Sequence, residues 1–149
     1  MIKNLLKITF CALSLLMRKE VAYAQTPKFR ALAFYSTIVE SDHVDFAKDA
    51  IAFYSKMAAE KGFAIDTTQN WDKLNTENLK NYKIVIWLND FPHTEVQRQA
   101  FEKFMENGGC WIGFHVSGYN DKGTHWPWYV NFLGELYFTI TTGHHYLLN

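Results

Sequence analysis

The 149-residue sequence has only two cysteines, no internal repeat, no low-complexity segment and no basic run longer than a pair. Each lack excludes something. Without a basic patch there is no electrostatic footprint for nucleic acid. The longest apolar run, Ile8 to Met17, falls well short of the ~20 residues that span a bilayer, so no stable membrane anchor is expected. No Cys-x-x-Cys or His-x-x-x-His spacing occurs, so no metal site is assigned, and the cofactor is left open.

Residues 1–24 read as a secretory signal. Lys3 and Lys7 come first, the apolar run follows, and Ala22-Tyr23-Ala24 supplies a small-x-small cleavage site before Gln25. Arg18-Lys19-Glu20 is irregular for such a segment, and an uncleaved anchor or a misread start codon stays as the alternative. Cleavage would remove four of the 15 basic and one of the 15 acidic residues, leaving 11 and 14 and a formal charge of −3. A periplasmic or secreted location follows. Cys11 would leave with the signal; Cys110 then has no partner for a disulfide and is expected as a small buried core residue.

What is present is hydrophobic material, 48% of the chain with 17% aromatic, ample for one core. Phe29–Ser36 (FRALAFYS) reads as a buried strand. A helix from about His43 to Lys61 follows, with Asp42 as N-cap, Phe46, Ala50, Phe53 and Met57 facing inward, and Gly62 ending it. Phe63–Thr68 is a second strand. A short helical piece capped by Thr76 precedes Lys83–Asn89 (KIVIWLN), apolar on both faces and therefore central. Thr94 and Gln97 form a capping box for a helix through Glu106, with Val96, Ala100, Phe101 and Phe104 inward. Cys110–Phe114 is the fourth strand. Strands alternating with helices imply α/β architecture: an open, mostly parallel sheet with helices on both faces.

Ligands in such sheets bind beyond the carboxyl ends of the strands. That rule selects Ser36–His43, Asn89–His93 and His115–Trp126. GGCWIGFHVSG (108–118) is the most informative stretch, because a strand ends there in an abrupt turn. Small residues flank that turn as at a nucleophile elbow, yet His115 stands where Ser or Cys would. Imidazole titrates near neutrality, so His115 reads as a general acid–base or a donor to a sugar hydroxyl. His43 opens a helix, and Asn89 can donate to and accept from hydroxyls. Asp90 reads as a second ligand or a plain loop carboxylate, and His93 as an exposed loop residue outside the crevice. Trp126, Trp128 or Tyr129 could wall a sugar ring, although core packing is the commoner use. His125 is a polar partner for Trp126, and His43, His115 and His125 could converge on a zinc-type ion.

The sequence resembles the trehalose-utilisation, or ThuA-like, family, whose fold is similar to the class I glutamine amidotransferase domain (flavodoxin-like). The resemblance is carried by FRALAFYS, SDHVDFAKDAI, NLKNYKIVIWLN, QRQAFEKFMENGG, CWIGFHVSG and WPWYVNFLG. It implies one ThuA-like domain over residues 25–149, a role in carbohydrate utilisation, and His115 in place of the amidotransferase cysteine. The implied substrate is a small-molecule disaccharide, glycoside or keto-sugar derivative. His115 would be catalytic, with His43, Asn89, Trp126 and Tyr129 binding substrate. A non-catalytic carbohydrate-binding or accessory module is the alternative. Family domains continue through further strands, whereas ELYFTITTGHHYLLN (135–149) departs from the usual continuation. A truncated or frame-shifted product is therefore expected, with an open sheet edge that an oligomer or partner chain covers.

Overall fold

The computed structural model describes residues 26–119 and 123–134. Residues 1–24, which carry the signal expectation, and residues 135–149, which include His144 and His145, lie outside the described residues.

The chain alternates strand and helix as the sequence implies. β1 is Arg30–Phe34, α1 Ser41–Lys61, β2 Ala64–Thr68, α2 Thr76–Leu79, β3 Ile84–Trp87, α3 Glu95–Glu106, β4 Cys110–Gly113 and α4 Pro127–Leu133. The four strands form one all-parallel sheet in the order β2-β1-β3-β4. The order in which strands are added reverses between β1 and β3, β2 lying outside β1 and β4 outside β3, so these two strands flank the topological switch point.

Alternation along β1 and β3 divides the core in two. Leu32, Phe34, Val85 and Trp87 point to one face, where they meet Leu79, Phe101, Phe104 and Tyr129 from the three later helices. Ala31, Ala33 and Ile86 point to the other, against Ala47 and Ala50 of α1. Helices thus cover both faces.

Some helix faces differ from the periodicity reading. In α1 the buried residues are Ala47, Ala50 and Ala58, while Phe46 and Phe53 are exposed. The sheet surface under α1 combines Ala31 and Ala33 of β1 with the aliphatic Ile86 and Leu88, and the helix settles on it with its alanine stripe inward. The phenylalanines are left at the flank, where Phe46 packs on Phe114 at 5.1 Å between ring centroids. In α3, Ala100, Phe101 and Phe104 are buried as expected, but Val96 is 72% exposed. The capping box at Thr94 and Gln97 is present. Asn75, rather than Thr76, caps α2, accepting from the Asn78 N–H at 2.9 Å. Glu40 precedes α1 without a side-chain cap, so Asp42 lies inside the helix. Gly62 closes α1 at φ 75°, the left-handed conformation that an L side chain resists. Cys110 is exposed rather than buried, because β4 is an edge of the described sheet.

Candidate functional site at the carboxyl edge of the sheet

The turn after β4 is built like an elbow. Gly113 ends the strand, and a Cβ there would lie 2.0 Å from the Trp111 ring, so the position admits only glycine without a shift. Phe114 N–H donates to the Trp87 carbonyl at 3.1 Å, and His115 then adopts φ 38° before a 3-10 turn over His115–Gly118. A positive φ in a non-glycine residue costs about 1–3 kcal/mol and persists only where the surroundings enforce it. The enforcement is visible. Ser117, fully buried, shares its hydroxyl between the Trp87 and Asp90 carbonyls at 2.9 and 3.3 Å. The Tyr129 hydroxyl donates to the Ser117 carbonyl from the other side.

The elbow delivers His115 to His43. His115 Nδ1 lies 3.2 Å from His43 Nε2, and His43 Nδ1 lies 3.2 Å from Glu40 Oε2. An ionised carboxylate can only accept, so Glu40 requires the His43 proton on Nδ1. His43 Nε2 then accepts from His115 Nδ1–H, and the bare nitrogen of the exposed His115 ring is Nε2. Glu40 itself is held below the usual carboxylate range, chiefly by a backbone N–H and next by His43.

Asn89 holds the other end of this arrangement. It is enclosed, accepting from Ser36 N–H at 2.8 Å and donating to the carbonyls of Ser36 at 3.0 Å and His43 at 3.1 Å. Both amide protons are committed to backbone. Asn89 therefore positions His43 and the loop after β1, and has no donor left for a sugar hydroxyl.

Trp126 and Tyr129 also turn inward. Their rings stack at 4.5 Å, both are buried beside Trp87 and Phe101, and Trp126 Nε1 donates to Glu102 at 2.6 Å. Burial pushes the Tyr129 phenol well above its ordinary pKa. The two residues brace the elbow from the core. His125 is exposed, and among the described residues no group of three His, Cys, Asp or Glu side chains is placed to hold a metal ion.

On the other side of Asn89 lies a cleft of about 350 Å³. It is lined by Ser36, Thr37 and Ile38 beyond β1, Gln69, Asn70 and Trp71 beyond β2, and Asp90 and His93 beyond β3. His93, expected outside the crevice, lines it: its Nε2 lies 3.1 Å from Asp90 Oδ2, and its ring meets Trp71 at 5.7 Å. The Thr94 capping box explains the placement, because Gln97 Oε1 accepts from the backbone N–H groups of both His93 and Thr94 and pins this loop against the sheet. A second cavity of about 260 Å³ lies at the amino ends of β3 and β4, beside Lys83 and Gly109. It is remote from the edge where parallel sheets place their ligands.

A family model described as ThuA, trehalose utilisation, matches residues 30–145. The chain belongs to the ThuA family. A crystal structure of a ThuA-like protein from Bacteroides uniformis matches with 48% sequence identity and a TM-score of 0.70. The match covers 77% of this chain and 47% of that one, so this chain spans about half the length of the solved relative. No curated protein matches.

The sequence pairing of His115 with His43 thus coincides with direct contact in this ThuA-family chain. Glu40, Gln69, Asn70 and Trp71 were not singled out from sequence. Glu40 stands three residues before His43, within reach of its ring. The β2 residues follow from the same carboxyl-end rule that selected the loops after β1, β3 and β4.

Proposed function

We propose that this chain is a carbohydrate-utilisation module in which His115 is the acid–base group, acting on a disaccharide, glycoside or keto-sugar derivative. The contact between His115 Nδ1 and His43 Nε2, made by an imidazole on a strained elbow, is the observation that carries the reading. The Glu40–His43–His115 chain leaves His115 Nε2 to take a proton as base, and the imidazolium so formed to return it as acid. Asn89 fixes His43 from behind, so the pair is preorganised before substrate arrives.

The test is turnover of a panel of disaccharides and their keto derivatives by wild type and His115→Ala. Positioned acid–base groups contribute about 10²–10⁴-fold, so kcat should fall by that range with the circular-dichroism spectrum unchanged. Equal turnover by the two proteins would sink the assignment. Sugar binding without any turnover would favour the alternative, a non-catalytic binding module.

A further inference from the structure

The cleft beyond β1, β2 and β3 shares Asn89's loop with the histidine pair but contains neither histidine of that pair. Its volume, about 350 Å³, sits at the low end of the ~300–1,000 Å³ typical of small-molecule sites. Three separate strand ends contribute polar side chains, and the buried Trp71 and the exposed Ile38 contribute apolar surface. Such a mixture suits a ligand with many hydroxyls and an apolar C–H face.

Charge narrows the class. No lysine or arginine lines the cleft, and its one carboxylate, Asp90, is largely enclosed, with 12% of its side chain exposed. Phosphorylated or carboxylated ligands would meet a negative charge without a compensating cation. Asp90 is tied on both oxygens: Oδ1 accepts from Phe91 N–H at 2.9 Å, and Oδ2 faces His93 Nε2 at 3.1 Å. A carboxylate partner keeps the His93 proton on Nε2, so in the neutral ring Nδ1 is an acceptor. Asn70 Oδ1 is occupied by Asp72 N–H at 2.9 Å, which orients the amide and leaves its Nδ2 as the donor end. A hydroxyl group needs one acceptor and one donor, and the cleft supplies both from side chains already fixed by other bonds.

We propose that this cleft is the ring-binding subsite for an uncharged pyranose, gripped by His93, oriented through Asp90, and by Asn70. The proposal rests on the carbohydrate reading above and divides the crevice in two. One flank of Asn89 carries the reacting imidazole; the other holds a sugar ring.

Isothermal titration of the full chain with trehalose, glucose and glucose 6-phosphate tests it. Trehalose or glucose should bind, and glucose 6-phosphate should bind at least about tenfold more weakly. His93→Ala and Asn70→Ala should each weaken sugar binding by about tenfold, the size of one lost hydrogen bond to an otherwise unpaired group. His93 is half-exposed and Asn70 exposed, so their loss should not unfold the chain, and matching melting curves would verify that. Failure of wild type to bind either sugar, tighter binding of the phosphate, or affinity indifferent to both substitutions overturns the subsite. Turnover that depends on His115 while binding ignores His93 and Asn70 would overturn the subsite and keep the acid–base reading. Binding that depends on those two residues without turnover would do the reverse.

Discussion

The two faces of the sheet are built on different scales. One is an aromatic stack in which Trp87 meets Trp71, Phe101, Trp111, Trp126 and Tyr129, all with ring centroids within 6.4 Å. The other is a smaller aliphatic layer in which Ala31, Ala33, Ile86 and Leu88 meet Ala47 and Ala50 of α1, with Phe46 and Phe53 of that helix at 39% and 58% exposure. Large rings interlock and hold their neighbours in one arrangement, whereas small side chains let a helix approach closely with little area per residue. The histidine pair draws on both. His115 is braced through Ser117 and Tyr129 from the aromatic side, and His43 rides on the first turn of the helix over the alanine side. Asn89, at the end of the central strand, joins them.

The sharpest way to break that comparison is to remove the centre of the thick face. Trp87→Ala should cost about 3–5 kcal/mol in denaturant unfolding, the range for large-to-small aromatic changes. Ile86→Val, its neighbour on the thin face, should cost about 0.5–1.5 kcal/mol. Equal losses would mean that the faces are not energetically distinct.

Next in size is the joint. Asn89→Ala strips partners from the Ser36 N–H and from the Ser36 and His43 carbonyls, at about 1–3 kcal/mol. It should also loosen His43, read as loss of the nuclear Overhauser contact between the His43 and His115 rings. Retention of that contact would remove Asn89 from its positioning role.

The smallest effect is set by pH. Burial raises the Tyr129 phenol above its unfolded value near 10. The unfolded chain therefore ionises first, so this contribution is intact below about pH 10 and lost as pH rises above it. Wild type should lose stability above pH 10 more steeply than Tyr129→Phe. Tyr54 and Tyr82 are also raised by burial and remain in both proteins, so the difference isolates Tyr129. Parallel alkaline limbs would place Tyr129 in contact with solvent.

Much of the fold was legible because its signals are local. The KIVIWLN run, the Thr94–Gln97 box and Gly62 each report a backbone requirement that neighbours in sequence can state. The inward face of α1 was not legible. Its helix offers both a phenylalanine stripe and an alanine stripe, and only the shape of the sheet beneath chooses between them. Cys110 was misread for a related reason: an apolar strand does not announce that it will lie at an edge.

The site divides the same way. Sequence alone determined that His115 would stand on an elbow at a strand's carboxyl end and that His43 would open a helix at the same edge. Packing decided the rest. Asn89, Trp126 and Tyr129 carry the right chemistry for sugar contacts, but the fold commits their donors internally: Asn89 to the loop after β1, Tyr129 to the elbow and Trp126 to Glu102 of α3. His93 looked peripheral until the capping box pinned its loop across the cleft, beside Asp90. Which polar atoms remain for a ligand depends on which are already satisfied within the protein. That count is fixed only when strands distant in sequence are brought side by side.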